Sequence, residues 1–420
     1  MLSLSIEYSV VMRGIKYRLA IFFLLPSFLM IIGLAKADAV APLFKVSGNK
    51  VLTSSGKEFM PEGISVYGGL ESPNYEINLP NDYAQITAAD KYWHANTVRL
   101  QVAESNLFSH LKHGETYNHN FLSELSRQVS FAQELGMVVV INDQTEFTTH
   151  TPSPTNETVR FWQIIAKKYK NDPSVIFDLF NEPRLTKKTA VYGQDNNKFI
   201  ESLIGQDNRP MPLKMTRNNL PPSEAWSLWQ SGGSIGERQY IGMQNVVNAV
   251  RSTGSSNLIW VEGTYGAHRL PPEKYLLSGS NLVYSIHHPN LNKPSSWNYI
   301  GELSQTRPVI EGEWAQYQSD WAECFSDAYS NAPMYLNYLH VHNIGVIAWS
   351  LQTNSLLRGS DNIRPTNLNT PYDPKKPQDL RKPDHLTTNY VCDTKQHGQG
   401  IGRLVYNYFS KYSQKYSLNI

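Results

Sequence analysis

A (β/α)8 TIM barrel with a short N-terminal β-hairpin and long loops after strands 4 and 8 is the architecture this sequence predicts, and three observations predict it. Eight short apolar runs recur along the chain, and each is separated from the next by enough residues for a helix. Strands spaced in this way suit parallel pairing through right-handed crossovers, and eight such units are enough to close a barrel. The alternative, a doubly wound open sheet, would carry a G-x-G-x-x-G turn after its first strand, and none is present here. At 420 residues and 40% hydrophobic content the chain can bury one large core without being forced into two domains.

Taken in order, the first element is a targeting segment. Basic residues in MRGIKYR from Met12 precede an apolar run from Leu19 to Leu34, and Ala37-Asp38-Ala39 fits an A-x-A cleavage site. Residues 1–39 are therefore expected to be an export signal cut before Val40, with Met12 an alternative start and residues 40–420 a single (β/α)8 domain. The run is broken by Pro26 and falls short of the roughly 20 residues a spanning helix prefers, so an uncut anchor is the lesser alternative. A secreted or periplasmic protein is expected, without stable membrane association once the signal is removed.

FKVSGNKVLTSSGKEF from Phe44 alternates in short runs punctuated by Gly48-Asn49 and Ser55-Gly56, which predicts a small hairpin. The first barrel strand is expected near Gly63 to Tyr67. The others are read in NTVRLQV from Asn96, MVVVIND from Met137, VIFDLF from Val175, NLIWVEG from Asn257, NLVYSIH from Asn281, RPVIEGE from Arg307 and IGVIAWS from Ile344. Between them, Leu122, Leu125, Val129 and Ala132 recur at helical spacing, with Gly136 at the expected C-terminal cap. A second helix is expected with Ser153 as N-cap, Pro154 at the first helical position, and Val159, Trp162, Ala166 and Tyr169 on one face. The long connection from Arg184 to about Glu237 is irregular enough to read as a functional wall, and a last helix follows GQGIG at Gly398–Gly402.

The net charge of +2, without a Lys/Arg-rich run, excludes the electrostatic footprint of nucleic-acid binding. The two cysteines, Cys324 and Cys392, allow one bridge or two thiols, and no C-x-x-C site exists. His287 and His288 are adjacent and point to opposite faces of a strand, which argues against joint metal binding, and His340-x-His342 fits favourable contact with a helix C-terminus. No metal and no cofactor are expected, and a monomer is.

Functional groups in a parallel barrel gather at the C-terminal ends of the strands. FDLFNEP ends there in Asn181 and Glu182, RPVIEGEW in Glu313 and Trp314, and LVYSIHH in His287; TVRLQV carries Arg99 and VIAWS carries Trp349. Two carboxylates facing each other across the mouth suit glycosidic bond cleavage, one protonating the leaving oxygen and the other attacking the anomeric carbon. Glu311 competes with Glu313, because period two places both on one face of the strand; Glu313 lies nearer the C-terminal end. Trp226, Trp229 and Trp314 read equally as core or as sugar-lining residues.

These strand ends, with the opening GNKVLTSSGKEFMPEGISVYGG, resemble glycoside hydrolase family 5, the cellulase family A of retaining β-glycanases. The resemblance implies Glu182 as general acid and base, Glu313 as nucleophile, and Arg99, Asn181, His287 and Trp349 as substrate-binding or orienting residues. Like charge from Glu313 and burial are expected to raise the Glu182 carboxyl. The implied activity is hydrolysis of a β-linked polysaccharide or oligosaccharide, cellulase-like or mannanase-like, by double displacement. Three positions depart from the family pattern: Gln144 where a histidine is usual, Pro289 where a tyrosine is usual, and Leu-Gln-Val after Arg99 in place of a proline-containing run. Those departures leave a second hypothesis standing, a glycan-binding protein that has lost turnover on a hydrolase scaffold.

Overall fold

In the computed structural model the described residues are 44–73, 75–145, 153–185, 220, 222–235, 238–287, 294–314, 328–351, 356 and 401–416. The leader, Cys324, Cys392 and Pro289 lie outside them. The chain divides into two units, Met1–Ala39 and Val40–Ile420, and everything described below belongs to the second. No helix among the described residues is long and apolar enough to cross a membrane.

Two short strands, β1 (Phe44–Ser47) and β2 (Lys50–Thr53), form the antiparallel N-terminal hairpin, turned by Gly48 at φ +62°. The chain then runs through β3 (Glu62–Val66), β4 (Thr97–Val102), β5 (Val138–Asp143) and β6 (Val175–Asp178). A second hairpin, β7 (Gly232–Ile235) with β8 (Arg238–Ile241), follows, then β9 (Ile259–Glu262), β10 (Leu282–His287), β11 (Val309–Trp314) and β12 (Gly345–Ala348). All eight expected barrel strands are present, and they close in the ring order β10-β11-β12-β3-β4-β5-β6-β9, every pair parallel. The connection after the fourth barrel strand is more structured than expected, since it holds the helix Pro222–Ser231 as well as the β7–β8 hairpin.

Alternation along each strand sorts the side chains into layers. On β4, Val98, Leu100 and Val102 join the large core beneath the helices, while Arg99 reaches into the barrel. The lower interior is apolar, built from residues such as Val140, Ile176, Trp260, Val283, Ile310 and Ile347. Phe44 and Phe59, stacked with ring centroids 4.1 Å apart, close its base. The N-terminal hairpin is therefore a plug that keeps water from the lower barrel and leaves polar chemistry to the upper half.

Helix His119–Glu134 is capped by Asn118, whose Oδ1 accepts from the backbone of Asn120 and Phe121. It ends at Gly136, at φ +76°, as its sequence predicts. The next helix, Asn156–Tyr169, begins later than expected: Thr155, not Ser153, is its N-cap. Thr155 Oγ1 accepts from Glu157 and Thr158, and Thr158 Oγ1 accepts from the Thr155 amide at 2.9 Å, so a reciprocal capping box overrides the Ser-Pro signal. His340 also departs from expectation. Its ring stacks on Tyr412 at 3.8 Å, and burial together with Lys411 lowers its pKa, so it is no cation at the helix end.

At the opposite end from the mouth, Glu62 opens β3 and is 1% exposed. Its amide donates to Asn96 Oδ1, and Asn96 in turn donates to the carbonyls of Met60 and Gln414, tying the C-terminal segment to the barrel base. Burial pushes the Glu62 carboxyl up to about 8. A carboxyl raised in the folded state contributes stability that is complete below its unfolded pKa and is lost as pH rises through the folded value. Unfolding midpoints are accordingly expected to fall between pH 5 and pH 9. Glu62→Gln should flatten part of that decline, by an amount on the order of a few kcal/mol. Parallel slopes for the two proteins in urea melts would show that Glu62 does not titrate in this range.

Candidate active site

The barrel interior turns polar one layer above Trp260 and Ile310, and Arg99 is its centre. From Nε it donates to Asp178 Oδ2 at 2.8 Å, and from Nη1 to Glu313 Oε2 at 2.9 Å. From Nη2 it donates to Asn181 Oδ1 at 2.7 Å and to Glu262 Oε1 at 3.0 Å. Arg99 is thus a mid-strand residue, not a strand-end one, and its planar fork binds four acceptors from the ends of three strands, β6, β9 and β11, into one constellation. Every one of these groups is buried.

Glu313 owes its position to a register shift. Glu311 pairs with Val346 and Trp314 with Ala348, so β11 carries one residue more than β12, and the same extra residue separates Ile286↔Glu311 from His287↔Glu313. This β-bulge breaks the period-two alternation. Glu311 and Glu313 do not share a face: Glu311 accepts from Tyr335 on the helix Ala328–Val341, while Glu313 turns inward to Arg99. Gly312 makes the bulge possible, because a Cβ there would stand 2.1 Å from Ser285 Oγ and 3.1 Å from His287 Nε2. Gly312→Ala is expected to cost about 1–3 kcal/mol of stability and to displace Glu313. A urea midpoint and an activity matching the parent protein would show that the bulge has slack.

Asn181 and Glu182 are consecutive and yet both reach the site. Glu182 adopts φ +43°, a left-handed conformation rare for a non-glycine residue, which re-aims its side chain after the strand has ended. Three backbone bonds hold the turn: Asn181 N–H to Asp143 O, Glu182 N–H to Glu262 Oε2, and Gly266 N–H to Pro183 O. Glu182 Oε2 accepts from Arg184 Nη2 at 2.8 Å, and its Oε1 lies 3.5 Å from His287 Nδ1. His287 Nε2 faces Glu262 Oε1 at 3.1 Å, and Nδ1 lies 4.0 Å from Glu313 Oε2. One oxygen of Glu182 and one of Glu313 are within 4.8 Å of each other, with His287 between them.

The electrostatics of this pair differ from expectation. Burial alone would raise the Glu182 carboxyl, but the His287 hydrogen bond, the Arg184 guanidinium and the charges of His287 and His268 outweigh it and hold it below the usual carboxylate range. Burial alone would lower the His287 imidazole; Glu262, Glu182 and Glu313 instead raise it well above the ordinary histidine value. Glu182 and His287 therefore form an ion pair in the free protein.

Glu182, His287 and Glu313 also have the composition and spacing that could hold a metal ion. Arg99 and Arg184 already bring positive charge to one oxygen of each carboxylate.

Trp349 follows β12 and is 7% exposed, its amide donating to Trp314 O at 2.6 Å and its ring meeting Tyr67 edge-on at 5.0 Å. Tyr67, 40% exposed, continues this aromatic wall. Trp226, Trp229 and Trp314 are core: Trp229 Nε1 donates to Glu262 O at 2.9 Å and Trp226 packs against it. The sequence reading overlooked Glu262 and Asp178, whereas the Glu182–Arg184 pair is between near neighbours in sequence. Glu262 and Asp178 were detectable, since each stands two residues beyond an inward apolar residue, Trp260 and Ile176, on its strand.

Comparison with known proteins places the geometry in context. Residues 53–355 match the model of the cellulase family described as glycosyl hydrolase family 5. An endoglucanase of Paenibacillus polymyxa is 24% identical over 355 residues, covering 76% of this chain and 82% of that protein. The catalytic domain of a Thermobifida fusca endoglucanase in complex with cellotetraose superposes with a TM-score of 0.54 at 13% identity, covering 88% of this chain and 97% of that one. A β-glucanase of Saccharophagus degradans in complex with cellotetraose gives 0.53 at 18% identity, covering 76% and 88%.

Proposed function

Given that the chain belongs to glycosyl hydrolase family 5, we propose that it is a retaining β-glycan hydrolase in which Glu313 is the nucleophile and Glu182 the general acid and base. The observation that carries this assignment is the approach of the two carboxylates to within 4.8 Å. Retaining glycosidases hold their carboxyl groups about 5–5.5 Å apart, whereas inverting ones need about 6.5–9.5 Å to admit a water.

In the first step Glu313 attacks the anomeric carbon as the glycosidic C–O bond breaks, and Glu182 delivers a proton to the departing oxygen. In the second, Glu182 takes a proton from water, the water oxygen bonds to the anomeric carbon, and Glu313 leaves. Arg99 holds Glu313 in line. The proton Glu182 needs is supplied by its partner: the Glu182–His287 pair carries one proton, and its transfer across the 3.5 Å contact makes Glu182 the acid. Asn181, whose Oδ1 accepts from Arg99, stands beside both carboxylates as a polar residue for a sugar hydroxyl. The Trp349 edge and Tyr67 supply an apolar wall for a sugar ring.

The endoglucanase relative and the cellotetraose complexes favour a β-linked glucan cut internally. Residues 1–39 serve in this proposal as a cleaved export signal, and a mature N terminus at Val40 by mass spectrometry is expected. The function is tested by incubating the protein with a panel of β-glucans, mannans and xylans. Release of oligosaccharides from a β-glucan is expected; binding without any product would favour the turnover-deficient glycan-binding protein that Gln144 keeps in view.

A further inference from the structure

We propose that Gln101 is a sugar-reading residue on the wall of the barrel facing His287, where it binds hydroxyl groups of the glycan and sets which sugar is accepted; this role rests on the hydrolase function proposed above. Gln101 stands two residues beyond Arg99 on β4, so alternation points both into the barrel and places Gln101 nearer the mouth. In the closed ring β4 lies four strands from β10 in either direction, directly across from His287.

Gln101 is 1% exposed, the same as Glu313, so it is no more withdrawn than the nucleophile itself. Neither its Nε2 nor its Oε1 has a hydrogen-bond partner among the described residues. A buried amide unbonded at both ends opposes folding, and an apolar residue of the same size would avoid that cost. The neighbouring strands repeat the pattern. Ser65 Oγ on β3, beside Arg99 in register, and Asn142 Oδ1 on β5, beside Gln101, are also without partners among the described residues. Three adjacent strands thus present unbonded polar atoms at the Arg99 layer and just above it.

The chemistry of this set selects the ligand. It offers an amide that donates and accepts, a hydroxyl that does both and a carbonyl that accepts, beside the Oδ1 of Asp178, whose other oxygen is held by Arg99. Neutral groups that donate and accept from adjacent atoms are the neighbouring hydroxyls of a sugar ring. Tyr67 extends β3 one residue past Val66, which pairs with Leu100, so the aromatic wall formed with Trp349 lies alongside.

The test compares the parent protein with Gln101→Met, which keeps the volume and removes the amide, using a soluble β-glucan oligosaccharide and its monodeoxy analogues. The expected result is a fall in kcat/KM on the full substrate of about 10- to 100-fold, with the thermal midpoint unchanged or raised. At least one deoxy analogue that the parent protein discriminates against should be discriminated no longer. An unchanged kcat/KM, or an equal loss on every analogue with a lowered midpoint, would overturn the assignment and mark Gln101 as structural. Gln101→Leu gives the same comparison if the methionine protein does not fold. If the parent protein hydrolyses no β-glycan, the hydrolase function fails first and this role with it; if the parent is active and Gln101→Met behaves identically, only the role of Gln101 fails.

Discussion

Glu313→Gln is expected to lower kcat/KM on a β-glucan by about 10⁴-fold or more while the protein remains folded. Glutamine retains an oxygen to accept from Arg99 Nη1, so the 2.9 Å contact that anchors the side chain can persist without the charge. What disappears is the nucleophile, and with it the covalent intermediate. Glu313→Ala should abolish hydrolysis equally but leave Arg99 short of one carboxylate, so the glutamine protein separates chemistry from stability. Initial-rate measurements with circular dichroism on the same samples provide the check. Retention of more than about a tenth of the activity in a folded protein would remove Glu313 from the mechanism.

The second large effect concerns stability. Arg99→Met is expected to destabilise the protein by about 3–5 kcal/mol, because Asp178, Glu262 and Glu313 all direct carboxylate oxygens at the one guanidinium and none is exposed enough to find water instead. Arg99→Lys should rescue little, since one ammonium cannot reproduce a fork that spans Asp178, Asn181, Glu262 and Glu313. Urea denaturation measures both proteins. A midpoint for Arg99→Met equal to that of the parent would mean that the four acceptors rearrange without Arg99, and the layered description of the barrel would need revision.

The barrel was legible because parallel strands buried on both faces leave unbroken apolar runs such as MVVVIND and VIFDLF, and the helices between them carry their own spacing. Asn181, Glu182, His287 and Glu313 come together as strand-end reasoning expects, around an Arg99 that sits in mid-strand. What alternation could not express is irregular backbone. The bulge at Gly312 separates Glu311 from Glu313, and the left-handed turn at Glu182 lets two consecutive residues enter one cleft. Proximity across strands was equally hidden: Glu262 accepts from both Arg99 and the Glu182 amide and contacts His287, three partners scattered over the sequence. The depressed Glu182 carboxyl follows in part from that packing, since His287 approaches only once the ring has closed, while Arg184 is a neighbour in sequence.

The most direct measurement is the anomeric configuration of the first product, followed by proton NMR from the moment the protein meets a β-linked oligosaccharide. Two carboxylates within 4.8 Å of each other leave no room for a water between nucleophile and sugar, so the β-anomer should appear first, with the α-anomer growing in only through mutarotation. Initial accumulation of the α-anomer would mean a single displacement by water and would contradict the roles given to Glu182 and Glu313.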